Sequence, residues 1–134
     1  MKKKTYPLIY AGEKQQFARS VVAGNLVFCS GMSGRTMETG NVGSDNVVEQ
    51  MKVALDKVRA ALTEAGTSMD NIVKTVIYLK HVEDYSIMRK TEREYWQKYA
   101  PHLLEEPPAS TFMQPASLAR PNMLIEIEVI AMLP

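Results

Sequence analysis

The chain is short of the residues that most often carry chemistry. Its 134 residues include one cysteine, Cys29, and two histidines, His81 and His102. A lone cysteine excludes an intrachain disulfide and any multi-cysteine metal site, and it fits a reducing compartment, so a cytoplasmic protein is expected. Each histidine stands in a charged or proline-bounded turn with no second ligand at helical or strand spacing, which supports no metal site. No excess of either charge is present: 16 Lys and Arg against 15 Asp and Glu leave a net charge of +1. Phosphate neutralisation needs a basic excess, so a nucleic-acid partner is not favoured, and Lys2-Lys3-Lys4 reads as a solvated terminal cluster. No apolar run reaches membrane-spanning length, and the segment after the lysines is too short for a signal-peptide core.

What is present is an ordinary globular composition, 46% hydrophobic and 23% charged, in a length that suits one domain spanning residues 1–134. The richest segment is the last. From Leu124 to Met132, side chains alternate between faces, so Ile125, Ile127, Val129 and Ala131 share one apolar face while Leu124, Glu126, Glu128 and Ile130 share the other. A carboxylate among apolar neighbours sits either at a wet sheet rim or in a cleft, and only a cleft raises its pKa toward neutrality.

Upstream, Phe17–Arg19, Val21-Val22 and Leu26–Ser30 are β-prone runs around Ala23-Gly24-Asn25, which predicts a hairpin. A loop follows from Gly31 to Ser44. Apolar residues then recur at helical spacing from Val47 to Ala65, with Asn46 and Glu49 as a capping box and Gly66 as the stop. The β-branched run Ile72–Lys80 predicts a strand. Asp84 is expected to cap a second helix, lined on one side by Tyr85, Met88, Tyr95, Trp96 and Tyr99 and ended by Pro101. Glu105–Pro108 reads as a loop, Ser110–Gln114 as a strand, and Leu124–Met132 as the last strand. The order β-hairpin, α, β, α, β, β predicts an α+β domain in two layers, a mixed sheet with two helices on one face. The other face needs a cover, and association of several copies is the expected one.

In this order, several segments together resemble the reactive-intermediate deaminase family, RidA or YjgF, also labelled endoribonuclease L-PSP or translation inhibitor. They are Gly24–Gly31, the helix ending in Glu64-Ala65-Gly66, Asp70–Leu79, Tyr95-Trp96, Pro108-Ala109, and Leu118–Pro121 leading into Leu124–Ala131. The resemblance implies a homotrimer of chorismate-mutase-like arrangement, a small-molecule substrate bound between subunits, and hydrolysis of enamines or imines with release of ammonia. No cofactor is implied. Glu126 matches the family glutamate that positions or activates water. Ser30 and Gly31 match the pocket lining, and Phe17 falls where many members have Tyr. Ser110 follows the Pro-Ala pair where deaminating members place an arginine that clamps the substrate carboxylate, and a serine cannot replace a bidentate guanidinium. Arg89, in the second helix where many members have Asn, is a candidate source of that cation. Two further readings stand beside the enzyme: a non-catalytic ligand-binding or regulatory trimer, and an RNA-cleaving or translation-inhibiting protein.

Other features read as structural. Cys29 is expected to be a small buried residue at a strand end. Gly31-Met32-Ser33-Gly34-Arg35 lacks the ending of a phosphate-binding loop and opens into no helix, so nucleotide binding is set aside, and Arg35 reads as a solvated loop arginine, with a ligand-facing position as the alternative. Arg120 is expected to pair with a carboxylate, and Glu128 to be solvated or salt-bridged.

Overall fold

The final strand is paired along both of its edges, which places it at the centre of the sheet. The computed structural model describes residues 2–134. In chain order the strands and helices are β1 (Lys4–Tyr10), β2 (Glu13–Ala23), β3 (Leu26–Cys29), β4 (Met32–Ser33), α1 (Val47–Glu64), β5 (Ile72–Leu79), α2 (Tyr85–Tyr99), α3 (His102–Glu105), β6 (Ala109–Met113) and β7 (Ile125–Met132). The strands form one sheet in the order β1-β2-β3-β7-β5-β6, with β4 also on β7. Only β5 and β6 run parallel, joined through α2 and α3. No helix of the described residues is long and apolar enough to cross a membrane.

The two-layer α+β domain is as expected, with α1 and α2 covering one face. Ile125, Ile127, Val129 and Ala131 of β7 are buried against Met51, Leu55, Val58 and Leu62 of α1, together with Ile77 and Leu79 of β5 and Met88 and Trp96 of α2. Each such side chain removed from water contributes about 1.5–3 kcal/mol. Helix α1 begins where Asn46 accepts from the Glu49 backbone N–H, but the reciprocal half of the capping box is absent, as Glu49 faces Lys52 instead. The helix ends in a Schellman motif: the Thr67 N–H donates to the Leu62 carbonyl and the Gly66 N–H to that of Thr63. Gly66 takes φ +91°, which disfavours a residue with Cβ.

Several expectations need correction. The N-terminal hairpin begins earlier, because Lys4–Tyr10 is a strand. Pro7 lies in it, which argues against an interior strand, but β1 is the sheet edge and its register shifts on either side of Pro7. The turn at Ala11-Gly12 has no Asn or Asp to mark it, and Ala11 holds φ +50°. Residues Met32 and Ser33, expected in a loop, pair with β7. Asp84 makes no side-chain cap to α2. His102–Glu105 forms a third, short helix. In α2 only Met88, Tyr95 and Trp96 of the expected stripe are buried, while Tyr85 and Tyr99 reach solvent.

The second sheet face carries no helix. Phe28 (41% exposed) lies opposite Ile130 and Val21, Leu26 opposite Met132, and Met113 (48% exposed) opposite Tyr78.

Candidate functional site

A β-bulge shapes the centre of the sheet. Phe28 of β3 pairs with Ile130 and Met32 of β4 with Ile127, so four steps of one strand face three of the other. The extra length falls at Ser30-Gly31, and such bulges re-aim side chains at strand edges. Glu126 of β7 lies directly over it: a Cβ built on Gly31 would stand 2.3 Å from Glu126 Oε1. Glycine is therefore demanded here by close approach of a carboxylate. The Ser30 hydroxyl donates to the Ala18 carbonyl at 2.5 Å, which fixes the bulge to β2. The entry to β7 is fixed by buried Gln50, whose Nε2 donates to the carbonyls of Ser44 and Asn122 and whose Oε1 accepts from the Leu124 N–H.

Glu126 is half-buried, and among the described residues its carboxylate has no hydrogen-bond or ion-pair partner. Burial raises its pKa above the ordinary carboxylate value, Glu128 raises it further, and Lys57 opposes both. Glu128 is neither free nor salt-bridged, since the Tyr78 hydroxyl donates to it. That contact pushes the Tyr78 hydroxyl up to about 12. The two carboxylates thus have different environments, one tethered and one unpaired.

The other sequence candidates lie elsewhere in the same chain. Ser110 of β6 stands opposite buried Thr75 of β5, on the helix-covered side, whereas Glu126 stands opposite Tyr78 on the uncovered side. The Thr75 hydroxyl donates to Ser110 Oγ at 3.0 Å, and Arg89 Nη2 reaches the same oxygen at 3.1 Å. Arg89 also holds Glu92 at 3.0 Å and Tyr85 at 3.1 Å. Burial raises the Glu92 pKa and Arg89 opposes that rise. A cleft of about 270 Å³ opens here, lined by Arg89, Arg93, Trp96, Leu104, Pro108 and Ser110 among others. Phe17, 51% exposed on β2, belongs to neither cluster.

One residue that the sequence reading passed over, Lys57, acts on Glu126 through its charge. Lys57 is only 7% exposed and donates to Tyr10 Oη at 2.8 Å and to the Arg35 carbonyl at 2.7 Å. Burial and the Arg35 charge pull its ammonium down to about 7. The signal was present: Gln50, Ala54, Lys57 and Ala61 occupy one helical stripe, so a polar residue at Lys57 interrupts an apolar face. Arg35 is not simply solvated, because its guanidinium lies 3.9 Å over the Tyr10 ring. Arg120 pairs with no carboxylate and instead donates to the Gly40 carbonyl at 3.0 Å. Cys29 is buried, with its thiol pushed up to about 12. No cluster of three or more His, Cys, Asp or Glu suited to a metal ion exists among the described residues.

Comparison with known proteins adds the following. The family model described as endoribonuclease L-PSP matches residues 11–133. A RutC family protein of Pyrococcus abyssi is 30% identical over 115 residues, which cover 86% of this chain and 84% of that protein. The 2-iminobutanoate/2-iminopropanoate deaminase of Escherichia coli strain K12 is 30% identical over 115 residues, covering 86% of this chain and 85% of its own. Among solved structures, the YjgF gene product of E. coli matches with a TM-score of 0.83 and 27% identity, over 96% of this chain and 98% of that one.

Proposed function

The chain belongs to the endoribonuclease L-PSP family, which includes RidA and YjgF, and on that premise we propose that it is a hydrolytic deaminase of small enamines or imines. The observation that carries this reading is the unpaired, half-buried Glu126 carboxylate seated over Gly31, with its pKa raised by burial. A general base works best when its pKa approaches the working pH, and a partnerless carboxylate keeps its lone pairs for water.

In the proposed reaction, Glu126 takes a proton from water as the water oxygen bonds to the carbon of the C=N group. The adduct nitrogen takes that proton to give the carbinolamine. Glu126 then takes the hydroxyl proton and passes it to nitrogen as the C=O bond forms and the C–N bond breaks, so imine and water become a carbonyl product and ammonia. No oxidant or cofactor enters the balance. Ser30 and Gly31 line the floor beneath the reacting carbon.

Because Glu126 and the Arg89–Ser110 cluster occupy opposite faces of one sheet, a substrate touching both must lie between two chains. The bare face bearing Phe28, Ile130 and Met113 supplies an apolar surface for such packing. We therefore place the substrate in an inter-subunit cleft of a homotrimer, with Glu126 from one protomer, Arg89 and Ser110 from another, and exposed Phe17 closing the cleft. Arg89 takes the role of anion contact that Ser110 cannot fill. A cytoplasmic location accords with a sequence whose one cysteine, Cys29, is buried.

The test is ammonia release from imines made in situ by an amino-acid oxidase, followed with and without the purified protein. Release faster than spontaneous hydrolysis is expected, and rates indistinguishable from the uncatalysed ones across a panel of imines would refute the enzyme reading.

A further inference from the structure

Positive charge accumulates around Tyr10, and Glu126, the carboxylate whose charge reaches it, forms no ion pair there. Arg35 Nε donates to the Gly40 carbonyl at 2.7 Å, and Arg120 Nη1 donates to that same oxygen at 3.0 Å, so one carbonyl holds two guanidinium groups within a few ångströms of each other. Lys57 lies 5.1 Å from the Tyr10 ring centroid that Arg35 covers at 3.9 Å. Arg35, Arg120 and Lys57 belong to no ion pair among the described residues. In a chain whose net charge is only +1, such crowding is local and is not a consequence of composition.

Like charges this close are unfavourable unless something opposite in sign joins them. The loop carbonyl of Gly40 satisfies one N–H of each arginine, and Arg120 Nη1 also reaches Asn41 Oδ1 at 3.3 Å. Each guanidinium carries five N–H donors, so both retain donors beyond these contacts. We propose that Arg35 and Arg120, with Lys57 against the same tyrosine ring, form a binding site for the oxyanion of a small carboxylate- or phosphate-bearing molecule. Planar forks match both oxyanions, and Tyr10 fixes Arg35 by stacking, which limits the entropy lost on binding.

The site differs from the Arg89–Ser110 cleft and stands whether or not imines are hydrolysed. It also has a route to Glu126. The groups facing Lys57 are Tyr10, Arg35 and Glu126, and those facing Tyr10 include Arg19 and Arg120. A bound anion offsets the Arg35 charge and lets Lys57 hold its proton to higher pH.

Titration calorimetry at constant ionic strength, set with chloride, tests the site using inorganic phosphate and pyruvate as probes on the full chain. In an Arg89→Gln background, which removes the anion contact of the other cleft, one saturable site per chain is expected, with affinity at least about tenfold lower on adding Arg35→Gln or Arg120→Gln, unchanged on adding Lys14→Gln, and retained on adding Glu126→Gln. Binding of phosphate alone assigns a phosphate-bearing ligand, binding of pyruvate alone a carboxylate, and binding of both a general oxyanion site. Because Arg35→Gln also loosens the loop, Arg35→Lys and Arg120→Lys are measured too. They keep the charge and lose the fork, and intermediate affinity is expected. No saturable heat with either probe, or affinity undiminished by both Arg35→Gln and Arg120→Gln, overturns the proposal.

Discussion

Arg89 reaches Ser110 from the facing helix, its Nη2 donating to the serine Oγ at 3.1 Å. A guanidinium thus arrives at the strand position that serine occupies, although it is carried by α2. Its other contacts, to Glu92 and Tyr85, fix its plane over the cleft.

If Arg89 meets the substrate anion, Arg89→Gln raises KM for an imino acid by about 10- to 100-fold, the worth of a charge-assisted hydrogen bond. The effect on an imine without a carboxylate should be far smaller. Steady-state kinetics on the two substrates decide it. Equal losses on both would mean that Arg89 acts only through folding.

Gly31→Ala places a methyl group where the Glu126 carboxylate lies. Glu126 must turn away, and displacement of about 1 Å at a catalytic group lowers turnover by about 10²-fold. Strain should cost about 1–3 kcal/mol of stability. Activity and thermal melting measured on the same sample separate the two effects, with activity lost while the protein stays folded.

Lys57 predicts a pH dependence. Its folded-state pKa of about 7 lies below the value of 10.5 for an unperturbed lysine, so between these limits the unfolded chain binds more protons. Stability then rises with pH from about 7 to 10.5 and is flat outside that window. Lys57→Met removes this rise, which denaturant unfolding at pH 6.5 and 10 detects. The same variant removes the charge that lowers the Glu126 pKa, so the acid limb of kcat/KM should move to higher pH.

Cys29 should resist alkylation in the native protein, since burial pushes its thiol up to about 12 and thiolate is the reactive form. Iodoacetamide labelling followed by mass spectrometry is expected to show modification only after unfolding. Rapid native labelling would contradict the packing of β3.

The elements with strong local signals were legible in the sequence: β7, α1 and the body of α2 follow from period 2 or 3.6, and β5 from its β-branched run. The misses have particular causes. Pro7 masked β1 because an edge strand tolerates what an interior strand does not. Met32 and Ser33 are too few to show alternation, so the bulge that seats Glu126 was hidden inside an apparent loop. In the site, Glu126, Gly31 and Ser30 were readable and come together, whereas Ser110 and Arg89 meet on the opposite side. Arg35, Lys57 and Arg120 are drawn together by Tyr10 and the Gly40 carbonyl, contacts between residues as many as 80 positions apart that no local pattern encodes.

The central claim is that Glu126 directs water onto the carbon bearing nitrogen, and comparing imine hydrolysis by the wild type and Glu126→Gln tests it most directly. Glutamine keeps the shape over Gly31 and cannot take a proton, so a loss of about 10²- to 10⁴-fold in kcat is expected, with the melting temperature preserved. Equal rates in the two proteins would contradict the account.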